Sequence, residues 1–241
     1  MGIKVAIVMP TLNNLAGGYE ALESIRGTDK IFWSPIILDN WRENRILAKS
    51  WNDGILRSKE MNADLVLVLN DDILFAPGTL QGLVDGWRNK PGHVVMVTGQ
   101  NVRGNCETPI DIFNYECPLN NEAIYNYNPD FACFMTSPDI LEIVGKFDEN
   151  FAPAYFEDND YHRRIKLLGF DAASINWAPY YHYGSITQNY DQNNPVVVPP
   201  AFEANRFYYN NKWGGEPGKE TFNVPYNNYV LTPKDWLPNM R

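Results

Sequence analysis

Residues 64–72 read Asp-Leu-Val-Leu-Val-Leu-Asn-Asp-Asp: five aliphatic residues that stop on an amide and two acids. An unbroken apolar run of this length is expected of a strand buried on both faces, and such strands belong to parallel sheets covered by helices. The acids then stand at the carboxyl end of the strand, where open α/β sheets bind their ligands. Two carboxylates about 4 Å apart repel by ~4 kcal/mol at a typical effective dielectric; Mg²⁺ or Mn²⁺, which take oxygen ligands, would offset that repulsion. The competing structural role is a strand-end turn in which Asp caps backbone amides.

The remaining pattern agrees with an α/β chain. Strands are expected at Ile3–Met9, stopped by Pro10-Thr11, and at Ile36–Leu38, ending in Asp39-Asn40. Others are expected at Val94–Thr98, Phe131–Met135 and Ala172–Trp177. Helices are expected from Glu43 to Lys59, with Leu47, Trp51 and Ile55 on one face, and from Thr79 to Trp87. Ser137-Pro138 resembles a helix start that Gly145 closes. A further helix over Asp158–Leu168 turns Tyr161, Ile165 and Leu168 inward. Strands alternating with helices imply a mainly parallel sheet with helices on both faces.

Residues 99–130 lose periodicity and are rich in Asn, Pro and Tyr, as expected of an irregular excursion or a short β element. The tail from Thr187 is polar, then Pro-rich; a final aromatic helix is expected over Phe202–Trp213, and Asn and Pro density stays high to Arg241. The expected division is 1–186 for the main domain and 187–241 for a C-terminal extension that packs on it or acts as a lid.

The net charge of −9, from 20 basic and 29 acidic side chains, opposes non-specific binding to nucleic acid. Cys106, Cys117 and Cys133 lack CxxC spacing, which argues against zinc and a disulfide framework and for a reducing compartment. No apolar stretch approaches the length of a membrane span, and no secretory pattern precedes the first strand. Ala6 stands where myristoylation wants Ser or Thr. The expectation is a soluble cytoplasmic protein. Aromatic residues make up 14% of the chain; most are expected in the core, and some on a surface that stacks on sugars or bases.

Three further constellations bear on chemistry. Glu157, Asp158 and Asp160 crowd the start of a helix, where acids complement the macrodipole and cap free amides. One of them, aimed into a cleft, would serve as a general base, and the sequence does not separate the three. His182 follows the last strand among Tyr181 and Tyr183; it gains weight as a ligand where oxygen ligands are already nearby. Pro10, Thr11 and Asn13 close the first strand at the same sheet edge as Asp39, where a carboxylate can accept from a base N–H or a ribose hydroxyl. There is no G-x-G-x-x-G and no Walker A motif, and Gly17-Gly18 is too little for a phosphate loop, so bound phosphates would need a metal.

Taken in order, these segments resemble the family 2 glycosyltransferases of the GT-A fold. Val5–Asn13 is similar to the family's first strand and uridine-binding turn, and Ile37–Asn40 to the strand whose Asp contacts the base. Trp51-Asn52-Asp53-Gly54 is similar to its Asn-x-Gly helix segment, and Val66–Asp72 to the Asp-x-Asp region that holds a metal on the diphosphate. Phe131–Arg164 resembles the acceptor-side block, with Val144–Glu149 leading into Glu157–Asp160; His182 and Lys212-Trp213-Gly214-Gly215 resemble later features. The chain departs from the pattern at Asn70, an amide in the first metal position. It departs again at Trp41–Asn44, where the family often carries Ser-x-Asp.

The resemblance implies a Rossmann-like GT-A domain and inverting transfer of a hexose from a nucleotide-diphosphate donor, a UDP-sugar with UDP-glucose first to try. It implies Mn²⁺ or Mg²⁺ on Asp72 and His182, with Asn70 as a third candidate, and Asp158 as the base, with Glu157 and Asp160 as alternatives. Pro10, Thr11, Asn13, Asp39, Arg45, Asn52 and Asp71 would contact the donor. The acceptor hydroxyl is left open: a lipid-linked sugar, a polysaccharide, a protein or a modified base. Two rivals keep some of these features. A sugar-1-phosphate nucleotidyltransferase would want a Gly- and Arg-rich loop after the first strand, which Pro10–Gly18 lacks; a non-catalytic carbohydrate-binding protein would need no acid at 158.

Overall fold

The computed structural model describes residues 2–12, 14–25, 31–40, 46–115, 125–184 and 198–227. Its strands are β1 (Lys4–Thr11), β2 (Phe32–Asp39), β3 (Leu65–Leu69), β4 (Ile73–Phe75), β5 (Val94–Asn101), β6 (Tyr125–Asn126), β7 (Cys133–Thr136) and β8 (Asp171–His182). The helices are α1 (Leu15–Ile25), α2 (Leu47–Glu60), α3 (Thr79–Asn89), α4 (Ile140–Ile143), α5 (Glu157–Leu167) and α6 (Val198–Trp213).

The strands form one sheet in the order β2-β1-β3-β7-β5-β8-β4, with β6 paired to β8. β1, β2, β3, β5 and β8 share one direction, while β4, β6 and β7 oppose it, so the sheet is mixed but mostly parallel. Alternation along the strands feeds two cores. Val5, Ile7 and Met9 of β1 and Leu65, Leu67 and Leu69 of β3 face α1 and α3, through Leu22, Ile25, Leu80 and Leu83. Ala6, Val8, Val66 and Val68 face the other way, toward Trp51 and Ile55 of α2 and Tyr161 and Ile165 of α5. Both faces of β3 are therefore buried, as its sequence requires.

Several expected boundaries move. β2 begins at Phe32 and carries Pro35, which a strand at the edge of the sheet tolerates. The helix expected from Ser137-Pro138 is the short α4, entered through Asp139; Ser137 Oγ accepts the Asp139 amide at 3.2 Å, and Gly145 leaves it in the left-handed region at φ 91°. Residues 99–130 contain both alternatives expected of them: two 3₁₀ turns, Arg103–Asn105 and Pro109–Asn114, and the small strand β6. The helix α1 is an addition to the sequence-based account. Its two glycines serve contact: a Cβ on Gly17 would lie 2.7 Å from the Asp71 carbonyl oxygen, and one on Gly18 would lie 2.6 Å from Met9 Cε. The Asn-x-Gly segment of α2 has a similar reason, since a Cβ on Gly54 would meet Val8 Cγ1 at 2.2 Å. Among the described residues no helix is long and apolar enough to cross a membrane.

Candidate active site

The parallel strands β1, β2 and β3 end at one edge of the sheet. Thr11 lies opposite Asp39 in the β1–β2 register, and the backbone continues from β3 into Asn70-Asp71-Asp72. Pro10 and Thr11 are buried, and Asp39 is exposed. The turn at 70–72 reverses the chain directly into β4, whose pairing sets Ile73 opposite His182 of β8. That register brings His182 Nε2 to 3.0 Å from Asp72 Oδ1, and the Tyr183 amide donates to the Asp72 carbonyl at 3.0 Å. Burial pulls the His182 imidazole down, but the hydrogen bond and charge of Asp72, with the charge of Asp130, outweigh it and hold its pKa above the ordinary value.

Asp71 is buried beside this pair. Asn14 Nδ2 donates to its carbonyl at 3.0 Å, joining the start of α1 to the strand end. Burial first, then the Asp72 charge, pushes the Asp71 carboxyl up to about 6. The Thr11 hydroxyl, the Asn14 side chain and the Leu12 backbone lie against the Asp71 carboxyl and oppose that rise, so Thr11 and Asp71 form one buried polar pair at this edge. Asn70 is half-buried, with its backbone N–H donating to the Ala132 carbonyl at 3.0 Å. Among the described residues no three His, Cys, Asp or Glu side chains form a metal cage. An acid and an imidazole, with remaining positions left to phosphate oxygens and water, suit Mn²⁺; Mg²⁺, which takes oxygen ligands, would rest on Asp72 and those oxygens.

The first turn of α5 supplies the second half of the site. Tyr155 and Phe156 precede it at φ 85° and 70°, left-handed conformations that cost aromatic residues energy and persist only where the surroundings impose them. Asn205 of α6 imposes them here: its Nδ2 donates to the carbonyls of Ala154 at 2.9 Å and Tyr155 at 3.2 Å. Glu157 is buried with Oε2 unpartnered; burial and the Asp158 charge raise it well above the usual carboxylate range. Asp158 is half-buried and accepts the Asn159 amide at 2.8 Å; burial, then the charge of Asp130, raises it. Asp130, just before β7, thus acts electrostatically on both Asp158 and His182 and connects the two halves of the site. It was not singled out from the sequence, and no local pattern marks it.

Two expected site residues turn out to be structural. Asp160 is wholly buried, and its carboxylate takes Arg164 Nε at 2.9 Å, Trp213 Nε1 at 2.9 Å and Lys212 Nζ at 2.6 Å. A carboxylate so engaged has no path to an acceptor. Asn52, expected on the donor, is fully buried in α2: it donates to the Phe147 carbonyl at 2.9 Å and Glu149 at 3.0 Å, and accepts the Phe147 amide at 2.8 Å. It fastens the 147–149 turn. Asn13 and Arg45 lie outside the described residues.

Comparison with known proteins gives no matching family model. A protein of Sinorhizobium fredii, described as the uncharacterized protein y4gI, is 23% identical over 230 residues; the match covers 78% of this chain and only a quarter, 25%, of that protein. Among solved structures, residues 1–349 of Staphylococcus aureus TarS align with a TM-score of 0.52 at 13% identity, over 77% of this chain and 61% of that one. A mutant of Drosophila beta-1,4-galactosyltransferase 7, in complex with manganese, UDP-Gal and xylobiose, aligns with a TM-score of 0.55 at 11% identity, over 85% and 79%. At these identities the likeness establishes the chain path: this chain is built on the GT-A-type fold of the glycosyltransferases.

Proposed function

We propose that this chain is a metal-dependent glycosyltransferase that moves a hexose from a nucleotide-diphosphate donor to an acceptor hydroxyl with inversion. The observation that carries the proposal is the Asp72–His182 pair, 3.0 Å apart at the sheet edge where Thr11, Asp39 and Asp71 also stand. The fold supports it, and the manganese and UDP-Gal in the Drosophila galactosyltransferase crystal favour a divalent ion and a UDP-sugar, with UDP-glucose first to test here.

Asp72 and His182 would hold Mn²⁺, or Asp72 alone Mg²⁺, with the Asn70 amide as a third candidate; bound there, the ion neutralises charge on the departing diphosphate. Thr11 and Asp39 receive the nucleotide base. Asp158 takes the proton of the acceptor hydroxyl, whose oxygen bonds to the anomeric carbon as the nucleoside diphosphate leaves with the electron pair of the broken bond. Its raised pKa makes Asp158 a stronger base than an ordinary Asp. Glu157, its buried neighbour, is raised as well, by burial and by the Asp158 charge. The test is a sugar-nucleotide panel with Mn²⁺, scored by release of free nucleotide. Failure of UDP, GDP and dTDP all to bind with Mn²⁺ present would overturn the proposal.

A further inference from the structure

We propose that the cleft between α5 and α6 binds the acceptor, and that the acceptor's reacting unit is an uncharged sugar ring. This rests on the glycosyl-transfer reading above and adds the substrate class to it. The cleft is open to solvent, has a volume of about 450 Å³ and is lined chiefly by Tyr155, Phe156 and Asp158 on the α5 side and by Phe202, Arg206 and Glu216 on the α6 side. That volume lies within the range of small-molecule sites, about 300–1,000 Å³. Neither Asp72 nor His182 lines it, so it is separate from the proposed diphosphate site, yet the proposed base forms part of its wall.

The wall has the chemistry of a sugar platform. Phe202 remains 37% exposed, and its ring meets those of Tyr155 and Phe156 with centroids at 5.4 and 5.1 Å. A partly exposed aromatic face beside polar groups takes the C–H face of a pyranose while the hydroxyls reach carboxylate, amide and guanidinium. The charges select against an anion. Arg206 Nε is held by Glu216 Oε1 at 2.9 Å, with Glu203 at 3.8 Å, and Asn210 Nδ2 also donates to Glu216 at 2.7 Å. With Arg206 already paired and Asp158 adding a further negative charge, a phosphate would meet repulsion. Asn205 holds the strained turn at 155–156, so the aromatic wall is set before any ligand arrives.

The experiment titrates the full chain with methyl glycosides of glucose, galactose, N-acetylglucosamine, mannose and xylose, and with glucose 1-phosphate as the anionic counterpart. Saturation-transfer NMR reads glycoside binding, and a separate titration reads UDP with Mn²⁺. At least one methyl glycoside should bind. Its affinity should fall about fivefold or more in Phe202→Ala and Tyr155→Ala and be retained in Phe202→Trp, with glucose 1-phosphate the weaker ligand and UDP binding unchanged. The inference is overturned if UDP binds and no glycoside does, if glycoside affinity ignores Phe202 and Tyr155, or if glucose 1-phosphate binds best. Absence of UDP binding overturns the glycosyl-transfer reading instead. Glycoside binding that still depends on Phe202 and Tyr155 would then support the cleft as a sugar site.

Discussion

Lys212 Nζ lies 2.6 Å from Asp160 Oδ1 and 2.7 Å from Asp148 Oδ2, with all three side chains buried. The cation on α6 therefore fixes the helix whose first turn carries Asp158, and the loop that leads into it. Removing one partner from a buried ionic network costs about 3–5 kcal/mol, because the remaining charge stays buried without compensation. Lys212→Met should lower unfolding free energy by about 3 kcal/mol in a denaturant titration. A midpoint equal to wild type would show that α6 does not hold α5 through this charge.

The same network gives an acid signature. Burial alone would raise Asp148, but the charge and hydrogen bond of Lys212, aided by the Asn150 amide and Tyr208, bring its carboxyl down to about 2 from an ordinary 3.8. A depressed carboxylate contributes stability that is complete above the unfolded value and is lost as pH falls from 3.8 toward 2. Here that is about 2 kcal/mol. Asp148→Asn should flatten this part of the stability–pH curve; an identical acid limb in the variant would remove Asp148 as its source.

Metal dependence should reside in the pair that the β4–β8 register assembles. Loss of outer partners alone weakens metal sites by about 10–100-fold, so Asp72→Ala and His182→Ala should each reduce Mn²⁺ affinity by about 100-fold or more. Calorimetry with Mn²⁺ and UDP present checks this, and Asn70→Ala run alongside tests the amide. Unaltered Mn²⁺ stimulation in Asp72→Ala would take Asp72 out of the site.

Proton abstraction should be separable from donor binding. Asp158→Asn should keep UDP affinity while kcat falls by about 10²–10⁴-fold. Because burial raises Asp158, the wild-type rate should climb with pH through an apparent pKa above 3.8 and lose that limb in the variant. A larger loss in Glu157→Gln than in Asp158→Asn would move the base by one residue.

How far the sequence reveals this molecule depends on whether a signal is local. Leu65–Leu69 is legible because both faces of β3 are covered, leaving no polar alternation to read. α1 is not, because Gly17 and Gly18 weaken helix propensity for the sake of contacts with Asp71 and Met9 on distant strands. β4, three residues long, is too short for a period to show. At the site, Asp72 and His182 carried the right residue types, yet their meeting is a product of strand register. Asp160 looked equivalent to Asp158, since both are acids at a helix start. What separates them is Lys212 and Trp213, which arrive from α6. Asn52 looked like a ligand because an amide that clamps a remote turn leaves no trace in its own neighbourhood.

The place of His182 at the very end of β8 has a bearing on how the protein is made. Asp72 leaves the ribosome early and waits for its partner until most of the described chain has been synthesised. The two come together only when β8, the last strand among the described residues, pairs with β4. If Asp72 and His182 hold the ion as proposed, its capture requires β8 in place beside β4, so metal binding would report on the paired sheet and not on β1, β2 and β3 alone.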